Sequence, residues 1–325
     1  MKIAIIGGSG FIGNALVNRL SQSHEVRASF FSGKKQEKET LRTTLFTYVD
    51  ISDQTSILRF IEEQDVVINC SGALALWNTS RKELFATNVE GTKNVVSALK
   101  KAKSPYYVHF STCGVSGPST TLFINNEDKR INPADYYAKT KLLGENAVHK
   151  YFLEGGNGVI LRPTWSYGIG DKHKLQLFNA IQREKFALIN GGKARFQPIY
   201  IDDICDAVEK VIAKKPKAAT YLLAGPEIVT QANAFEIISG SLNQQNYQCT
   251  RLGYGFALIV AYFLTFFSKT FKIGVPFNLT RFRLFAMNWL YDTSRIKKDV
   301  GFTSAIPFQE GISRTIQWYK EKELL

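Results

Sequence analysis

Cysteine is scarce in this chain, and the few cysteines lie far apart. The four, Cys70, Cys113, Cys205 and Cys249, form no C-x-x-C pair among 325 residues. The sequence therefore indicates neither a disulfide framework nor a zinc site. The four histidines also lack the spacing of metal ligands. We expect a protein of a reducing compartment, the cytoplasm, that holds no metal.

Acidic residues are few compared with basic ones. The chain has 28 Asp and Glu against 41 Lys and Arg, which gives a formal net charge of +13. Such a charge can attract nucleic acid, but the basic residues are spread along the chain and accompany no nucleic-acid-binding motif. We expect no nucleic-acid partner. Met1 leads directly into an apolar strand pattern, so we also expect no secretory leader.

An uncharged apolar segment covers residues 252–267, which is shorter than the about 20 residues that span a bilayer. From Arg251 to Tyr291 the chain has no Asp or Glu. Three interpretations stay open for this segment: a buried helix of a substrate lobe, a cap over an apolar substrate, and an anchor that lies on a membrane surface through residues 252–283. The basic residues of this stretch are Arg251, Lys269, Lys272, Arg281 and Arg283.

Short β-branched or apolar runs alternate with helical patterns through the first two thirds of the chain. This alternation is typical of βαβ units and predicts an α/β fold, a Rossmann-type doubly wound parallel sheet with its ligand crevice at the carboxyl ends of the strands. The predicted strands are Lys2–Ile6, Glu25–Phe30, Leu45–Val49, Val66–Cys70, Tyr106–Ser111 and Gly158–Arg162. The predicted crossovers lie near Ile12–Ser21, Gln54–Glu63, Thr87–Lys101 and Pro133–Phe152.

Beyond residue 164 the alternation weakens into glycine-rich turns and shorter elements. We therefore expect a nucleotide-binding domain at residues 1–164 and a smaller C-terminal substrate-binding lobe at residues 165–325. Residues 199–212 look like a strand end that feeds a helix, and we expect them to pack back on the first domain. We also expect a homodimer.

The first predicted strand runs into Gly7-Gly-Ser-Gly-Phe-Ile-Gly13, and a helical pattern follows. Glycines at this spacing permit a tight turn, a close approach of the backbone to a pyrophosphate, and close packing of the helix on the strand. The helix N-terminus adds free N–H groups and a positive dipole. The candidate cofactor contacts here are Gly7, Ser9, Gly10, Phe11, Ile12 and Gly13.

The end of the second strand indicates which dinucleotide is bound. An acid there would accept from the ribose hydroxyls of NAD, whereas basic and hydroxyl groups suit the 2′-phosphate of NADP. The sequence after Ser29 has no acid but has Ser32, Lys34 and Lys35, so it favours NADP over NAD. Asp50 and Ile51 follow the third strand, where Asp50 can accept from the adenine amino group. The alternative for this segment is a helix N-cap at Ser52 or Asp53.

Tyr137 and Lys141 lie four residues apart on a predicted helix and so share one face. An ammonium close to a phenol lowers the pKa of the phenol, which lets Tyr137 exchange a proton near neutral pH. Hydroxyls at Ser111 and Thr112 follow a predicted strand and would face the same crevice. Tyr-x-x-x-Lys also occurs by chance on solvated helix faces.

Taken together, the chain resembles the extended short-chain dehydrogenase/reductase family over nearly its whole length, nearest the branch of 3β-hydroxysteroid dehydrogenases and dihydroflavonol reductases. The motifs that carry the resemblance are Gly7-Gly-Ser-Gly-Phe-Ile-Gly13, Asp50, Asn88-Val-Glu-Gly-Thr92, Ser111-Thr112, Tyr137-x-x-x-Lys141, Leu161-Arg-Pro163, Tyr200-Ile-Asp-Asp-Ile204, Tyr291–Gly301 and Gln309–Trp318.

The resemblance implies roles for individual residues. Tyr137 would be the general acid and base, Lys141 would tune it and hold the nicotinamide ribose, and Thr112 would orient the reacting oxygen. Asn88 would support the active site. The loop of Cys70, Ser71 and Gly72 would lie under the cofactor, and Pro163 and Thr164 would border the nicotinamide.

Two departures from the family pattern narrow the reaction. Cys113 and Gly114 stand where the dehydratase branch has an Asp-Glu pair, which disfavours elimination, and Ser116 replaces a tyrosine that is frequent in epimerases. The sequence therefore predicts an NAD(P)-dependent oxidoreductase that interconverts a secondary alcohol and a carbonyl on an apolar, steroid-like or flavonol-like molecule. The alternatives are a nucleotide-sugar 4-epimerase of the same family and a catalytically silent NAD(P)-binding regulatory or scaffold protein.

Overall fold

The computed structural model describes residues 1–30, 45–76, 78–102, 105–120, 124–128, 131–244, 247–271, 273–275 and 277–325. Ser32, Lys34, Lys35 and Lys272 lie outside the described residues. The predicted contacts of Ser32 and Lys34 with the cofactor therefore stay predictions.

A parallel sheet of seven strands forms the centre of the protein, in the order β11-β6-β5-β4-β1-β2-β3. The six strands that the sequence predicts are present, each with its ends within one residue of the prediction. The seventh strand, β11, was not predicted; it pairs in parallel with β6 and so adds a strand from beyond residue 164 to the same sheet. The strands are β1 Lys2–Ile6, β2 Glu25–Phe30, β3 Leu45–Tyr48, β4 Val66–Asn69, β5 Tyr106–Phe110, β6 Gly158–Pro163 and β11 Ala219–Leu223.

Helices cover both faces of the sheet, which confirms the predicted doubly wound Rossmann-type fold. The alternation of side chains along each strand sends Ile3 and Ile5 to one face and Ala4 and Ile6 to the other, and all four are buried. Burial on both faces explains why the strands are apolar throughout. The helices of this part are α1 Phe11–Leu20, α2 Gln54–Ile61, α3 Arg81–Phe85, a π-helical turn at Ala86–Gly91, α4 Thr92–Lys101 and α5 Tyr136–Leu153.

The remaining strands are short, with two or three residues each, and the remaining helices include some of the longest of the protein. The strands are β7 Ser166–Tyr167, β8 Ala187–Ile189, β9 Arg195–Phe196, β10 Ile199–Tyr200, β12 Val229–Thr230 and β13 Thr250–Leu252. The helices are α6 Leu175–Gln182, α7 Ile201–Lys214, α8 Gln231–Ser241, α9 Tyr254–Phe271, α10 Leu279–Ala286, α11 Ser294–Val300 and α12 Phe308–Glu321. Two turns of 3₁₀-helix lie at Cys113–Ser116 and Asn190–Gly192.

Helix α7, which begins within the predicted segment 199–212, lies against α1. Arg19 of α1 forms ion pairs with Asp206 at 2.9 Å and with Glu209 at 3.4 Å. Apolar residues of both helices, including Leu16 and Val208, join the core on that face of the sheet. The layer over the sheet thus draws on residues from both sides of the predicted boundary at residue 164, and that boundary stays a prediction.

Helix α9, which contains most of the apolar segment 252–267, is not a buried core helix. Only Ala257 and Ala261 among its residues are buried, and most of its large apolar side chains are exposed. This finding rules out the buried interpretation. None of the described residues of α9 lines the cavity that Tyr137 and Thr112 share. The structure therefore does not support the cap interpretation either.

Candidate active site

The turn after β1 is built as a close-packed glycine turn. Gly7 adopts a φ of +80°, which favours glycine, and a Cβ on Gly7 would lie 2.8 Å from the backbone nitrogen of Ser71. A Cβ on Gly13 would lie 2.1 Å from the carbonyl oxygen of Gly7. Only glycine therefore allows α1 to begin so close to β1, as the sequence predicts.

The N-terminus of α1 offers N–H groups to a bound anion. Gly10 is the N-cap and provides no side chain to accept from the first turn, and that turn contains no acid. The N–H groups of Phe11 and Ile12 belong to the part of a helix that lacks intrahelical acceptors. Polar backbone without a protein carboxylate fits a pyrophosphate at this position. The donor set therefore fits the dinucleotide that the family resemblance implies.

Ser29 holds the glycine turn from the end of β2, a role that the sequence prediction missed. Its hydroxyl is 2.9 Å from the backbone nitrogen of Gly7 and accepts a hydrogen bond from it, and the backbone nitrogen of Ser9 donates to the carbonyl of Ser29 at 3.3 Å. Ser29 is buried. A small hydroxyl at the end of a buried apolar strand was the available signal.

Asp50 and Ile51 follow β3, and each also makes contacts there that stabilise the local structure. One carboxylate oxygen of Asp50 accepts from both the backbone nitrogen and the hydroxyl of Ser52, at 2.8 and 2.7 Å. Asp53 caps α2 by accepting from the nitrogen of Thr55 at 2.9 Å, so of the two predicted caps the structure selects Asp53. Ile51 packs against Gly91: a Cβ added to Gly91 would lie 2.9 Å from the Cγ1 atom of Ile51.

The loop of Cys70, Ser71 and Gly72 lies between the glycine turn and Lys141. On one side Ser71 touches Gly7, as described above. On the other side, a Cβ on Gly72 would lie 3.3 Å from the Asn88 side-chain oxygen and 3.5 Å from the Lys141 amine. The three predicted loop residues therefore connect the cofactor turn to the catalytic candidates.

Asn88 is buried and uses its whole amide group within the protein. Its oxygen accepts from the nitrogen of Ala73 at 2.9 Å, and its nitrogen donates to the carbonyl of Ala73 at 3.1 Å and to the hydroxyl of Thr140 at 3.0 Å. Thr140 in turn donates to the carbonyl of Tyr137 at 2.8 Å. Asn88 is therefore a positioning residue that joins the loop to the helix carrying Tyr137.

Tyr137 and Thr112 line the same cavity, of about 210 Å³, together with Pro163 and Thr164. Ser111 does not line it; its side chain is buried, and its hydroxyl has no hydrogen-bond partner among the described residues. Of the two candidate residues, the structure thus places Thr112 in the wall of the cavity that Tyr137 also lines. The other lining residues are Cys113, Gly114, Ala134, Asp135, Ala138, Trp165, Phe196, Gln197, Thr280, Arg283, Leu284, Trp289 and Tyr291.

Lys141 is buried on α5, and its amine donates to the carbonyl oxygen of Phe110 at 2.6 Å. Burial lowers the pKa of Lys141 to about 8, although the carboxylate of Glu145 opposes this shift. The expectation of a depressed tyrosine pKa is wrong for this structure. Burial raises the pKa of Tyr137 above its ordinary value, and the nearby carboxylate of Asp135 raises it further. Tyr137 is therefore a neutral phenol, ready to donate a proton.

Sequence reasoning missed the far wall of the cavity. Thr280, Arg283 and Leu284 come from α10, and Trp289 follows that helix. These residues carry no family motif, and they reach the cavity only through the return of the chain from α9. The guanidinium of Arg283 donates to the carbonyl of Ala134. Arg283 is the basic residue of the cavity lining, and most of the lining surface is apolar.

Comparisons with known proteins show what this chain is similar to. A family model described as the NAD dependent epimerase/dehydratase family matches residues 3–224. The chain is 26% identical to UDP-N-acetyl-alpha-D-glucosaminuronate decarboxylase of Bacillus cytotoxicus, with 99% of this chain and 98% of that protein aligned. It is 25% identical to 2-alkyl-3-oxoalkanoate reductase of Shewanella oneidensis, over 95% of this chain and 84% of that protein.

Solved structures share the fold. UDP-glucuronic acid 4-epimerase from Bacillus cereus in complex with NAD superposes with a TM-score of 0.78 at 19% identity and 99% coverage of both chains. At this level of identity the likeness shows the fold alone.

Proposed function

The chain belongs to the NAD dependent epimerase/dehydratase family, and we propose that within it the protein interconverts a secondary alcohol and a carbonyl on an apolar small molecule. That it is an NAD(P)-dependent enzyme follows from its family. The cavity supports the proposed reaction and substrate class, because Tyr137 and Thr112 line it and the rest of its wall is mostly apolar. The wall includes Trp165, Phe196 and Leu284.

Each catalytic candidate has a defined task in the proposed reaction. A bound NAD(P), held at its nicotinamide end by Lys141, Pro163 and Thr164, would supply the hydride acceptor for the carbinol carbon or the hydride donor for the carbonyl carbon. During reduction the neutral phenol of Tyr137 gives its proton to the carbonyl oxygen, and in the reverse direction the resulting phenolate takes the hydroxyl proton. The Thr112 hydroxyl donates a hydrogen bond to the same substrate oxygen. Lys141 holds the ribose, and its positive charge supports the phenolate of Tyr137 when that forms.

Residues next to Thr112 argue against elimination chemistry. The Cys113 thiol is buried and donates to the carbonyl oxygen of Arg162 at 2.7 Å. Burial raises the pKa of this thiol well above its ordinary value, so it stays protonated. Gly114 has no side chain. Neither residue can supply the acid and base that a dehydratase requires.

The names of the relatives support two substrate classes. The Shewanella relative is a reductase of 2-alkyl-3-oxoalkanoates, which supports a carbonyl on an apolar chain. The Bacillus relative acts on a nucleotide sugar, and Arg283 in the cavity is a group that could pair with a phosphate. A nucleotide-sugar epimerase is therefore the second candidate function.

A substrate panel separates these candidates. The enzyme would be incubated with steroids, flavonoids, 3-oxoalkanoates and UDP-sugars, with each cofactor, while the absorbance of the reduced cofactor and the epimer ratio of the sugars are followed. We expect turnover of an apolar carbonyl, lowered about 10²- to 10⁴-fold in Tyr137→Phe. Tyr136→Phe, one residue earlier on α5, is the matched control and should keep its activity. Epimerisation of a UDP-sugar without turnover of any apolar carbonyl would overturn the proposal.

We also propose that NADP is preferred to NAD. The support is the sequence after β2, with Ser32, Lys34 and Lys35 and no acid. The double variant Lys34→Glu, Lys35→Glu should lower the affinity for NADP about tenfold or more while leaving that for NAD nearly unchanged, because only NADP carries the 2′-phosphate. An unchanged ratio of the two affinities, measured by calorimetry, would contradict this preference.

A further inference from the structure

Helix α9 presents its large apolar side chains to the outside and its small side chains to the protein, which is the reverse of a helix that packs on a core. Small side chains face the body of the protein: Ala257 and Ala261 are buried, and the Thr265 hydroxyl accepts from the nitrogen of Leu279 at 3.0 Å. Large apolar side chains point outward instead. Their exposed fractions are 61% at Phe256, 68% at Ile259, 65% at Phe263 and 69% at Phe266, and Tyr254, Tyr262, Phe267 and Phe271 are exposed as well.

So large an exposed apolar face marks a contact surface rather than ordinary exposure. Phe256, Ile259, Phe263 and Phe266 recur every three or four residues, so they form one continuous stripe along the helix. Leaving this stripe in water would cost free energy that no contact among the described residues offsets. The stripe therefore suits an apolar surface that the described residues do not provide.

The charge around the stripe indicates what covers it. No Asp or Glu occurs from Arg251 to Tyr291, and Arg251, Lys269 and Arg283 are exposed. A second copy of this chain, packed symmetrically through the same face, would bring these positive charges against each other. An anionic lipid surface offers both an apolar phase for the stripe and negative charge for its rim.

Both ends of α9 are held on the body of the protein. Just before the helix, β13 pairs in parallel with β8. After the helix, the chain returns to α10, where Phe282 is buried against Ala257 and Ala261. Among the described helices, α9 is the one long and apolar enough to cross a membrane. Crossing would require the helix to leave these contacts, whereas lying in the interface keeps them.

We propose that α9 docks the protein on the surface of an anionic lipid bilayer, with Phe256, Ile259, Phe263 and Phe266 inserted among the lipids. Helix α10, which packs on α9, also supplies Thr280, Arg283 and Leu284 to the wall of the cavity. Docking therefore brings the cavity beside the phase in which apolar molecules collect. This last consequence rests on the proposed function, but docking itself does not.

The first test is flotation of the full chain with vesicles, which needs no substrate. The wild type should float with vesicles of phosphatidylcholine and phosphatidylglycerol, and much less with phosphatidylcholine alone. The double variant Ile259→Glu, Phe263→Glu should lose about tenfold or more of its binding, since two inserted apolar groups are replaced by anions. Leu153→Glu, at an 89% exposed residue on α5, is the matched control and should float like the wild type.

Three outcomes would overturn the proposal. A wild type that stays free of both kinds of vesicle, or a double variant that floats as well as the wild type, shows that this face does not bind lipid. A wild-type dimer that the double variant dissociates, with no flotation, shows that a second copy covers the face; light scattering measures this. Because the substituted side chains are exposed, equal melting temperatures of variant and wild type would show that the fold is kept.

A second test reports the depth of the helix. Phe263→Trp should be quenched by lipids brominated near the headgroup more than by lipids brominated at the chain ends, and Leu153→Trp by neither. Stronger quenching from the chain ends would indicate a spanning helix and would overturn surface docking. Failure of the substrate panel would leave both lipid tests unaffected, so the two proposals can fail separately.

Discussion

Arg162 and Glu145 form a two-pronged ion pair inside the protein, between β6 and α5. The Arg162 Nε lies 2.9 Å from one carboxylate oxygen and Nη2 lies 2.6 Å from the other, and both side chains are buried. Glu145 is one helical turn beyond Lys141, and the carbonyl of Arg162 accepts from the Cys113 thiol. The pair therefore fixes the helix that carries the catalytic candidates against the strand that ends at the cavity.

Removing one partner of this pair should strongly destabilise the fold. We expect Glu145→Gln to lower the free energy of unfolding by about 3–5 kcal/mol, because it leaves a buried guanidinium without its counter-charge. The double variant Glu145→Leu, Arg162→Met should lose much less, since it buries no charge. Urea unfolding followed by circular dichroism measures both. Equal losses in the single and double variants would contradict this explanation.

Gly13 should tolerate no side chain. We expect Gly13→Ala to abolish dinucleotide binding and to lower stability, because its Cβ would lie 2.1 Å from the Gly7 carbonyl oxygen and must displace α1. Gly240→Ala, on α8, is the matched control: its Cβ meets nothing within 4 Å, so it should raise stability by up to about 1 kcal/mol. Calorimetric titration and thermal unfolding provide the measurements. Normal cofactor affinity in Gly13→Ala would show that the turn is not the binding site.

Lys141 should titrate far below an ordinary lysine. Burial lowers its pKa to about 8 from 10.5, so between these pH values the unfolded chain binds more protons than the folded one at this residue. The penalty for burying its charge is fully present below pH about 8, and it disappears as the pH rises toward 10.5. Heteronuclear NMR of the side-chain amine, assigned with Lys141→Met, would follow this proton. A midpoint near 10.5 would refute the depressed pKa.

Asn88 and Thr140 should act as one unit. Because Asn88 holds the loop at Ala73 and donates to Thr140, each of Asn88→Ala and Thr140→Ala should lower stability by about 1–3 kcal/mol. Both should also lower kcat more than they raise KM, because they loosen the turn of α5 that carries Tyr137. A double-mutant cycle should give a coupling energy of about 0.5–3 kcal/mol. Strictly additive effects would show that the two residues act independently, and Asn18→Ala, at an exposed position of α1, serves as the control.

The sequence could predict the elements whose signal is local. Apolar runs of four to six residues between helical patterns predict the buried strands of a parallel sheet. The spacing of Gly7, Gly10 and Gly13 predicts a close-packed turn between a strand and a helix. The strand β11 was missed because five residues among irregular elements resemble loop. Its place in the sheet comes from pairing with β6, which lies far away in the sequence.

The site divides in the same way. Tyr137 and Lys141 lie one turn apart on one helix, so their spacing alone predicts that they share a face. Their pKa values depend on burial, and burial is a property of the packed protein: it lowered the pKa of Lys141 but raised that of Tyr137, where the sequence predicted a decrease. The contact of Ser29 with the glycine turn and the place of Arg283 in the cavity wall depend on tertiary structure, so the sequence alone does not reveal them.

Residues 252–267 show the division most clearly. Composition by itself determined that this segment is apolar, uncharged and set among basic residues, and it left a core helix, a cap and a surface anchor open. Only the tertiary structure ruled out the buried core helix, because Ala257 and Ala261 pack inward and the aromatic side chains stay outside. Hydrophobicity states that a segment avoids water, whereas the packing of neighbouring elements determines which surface covers it.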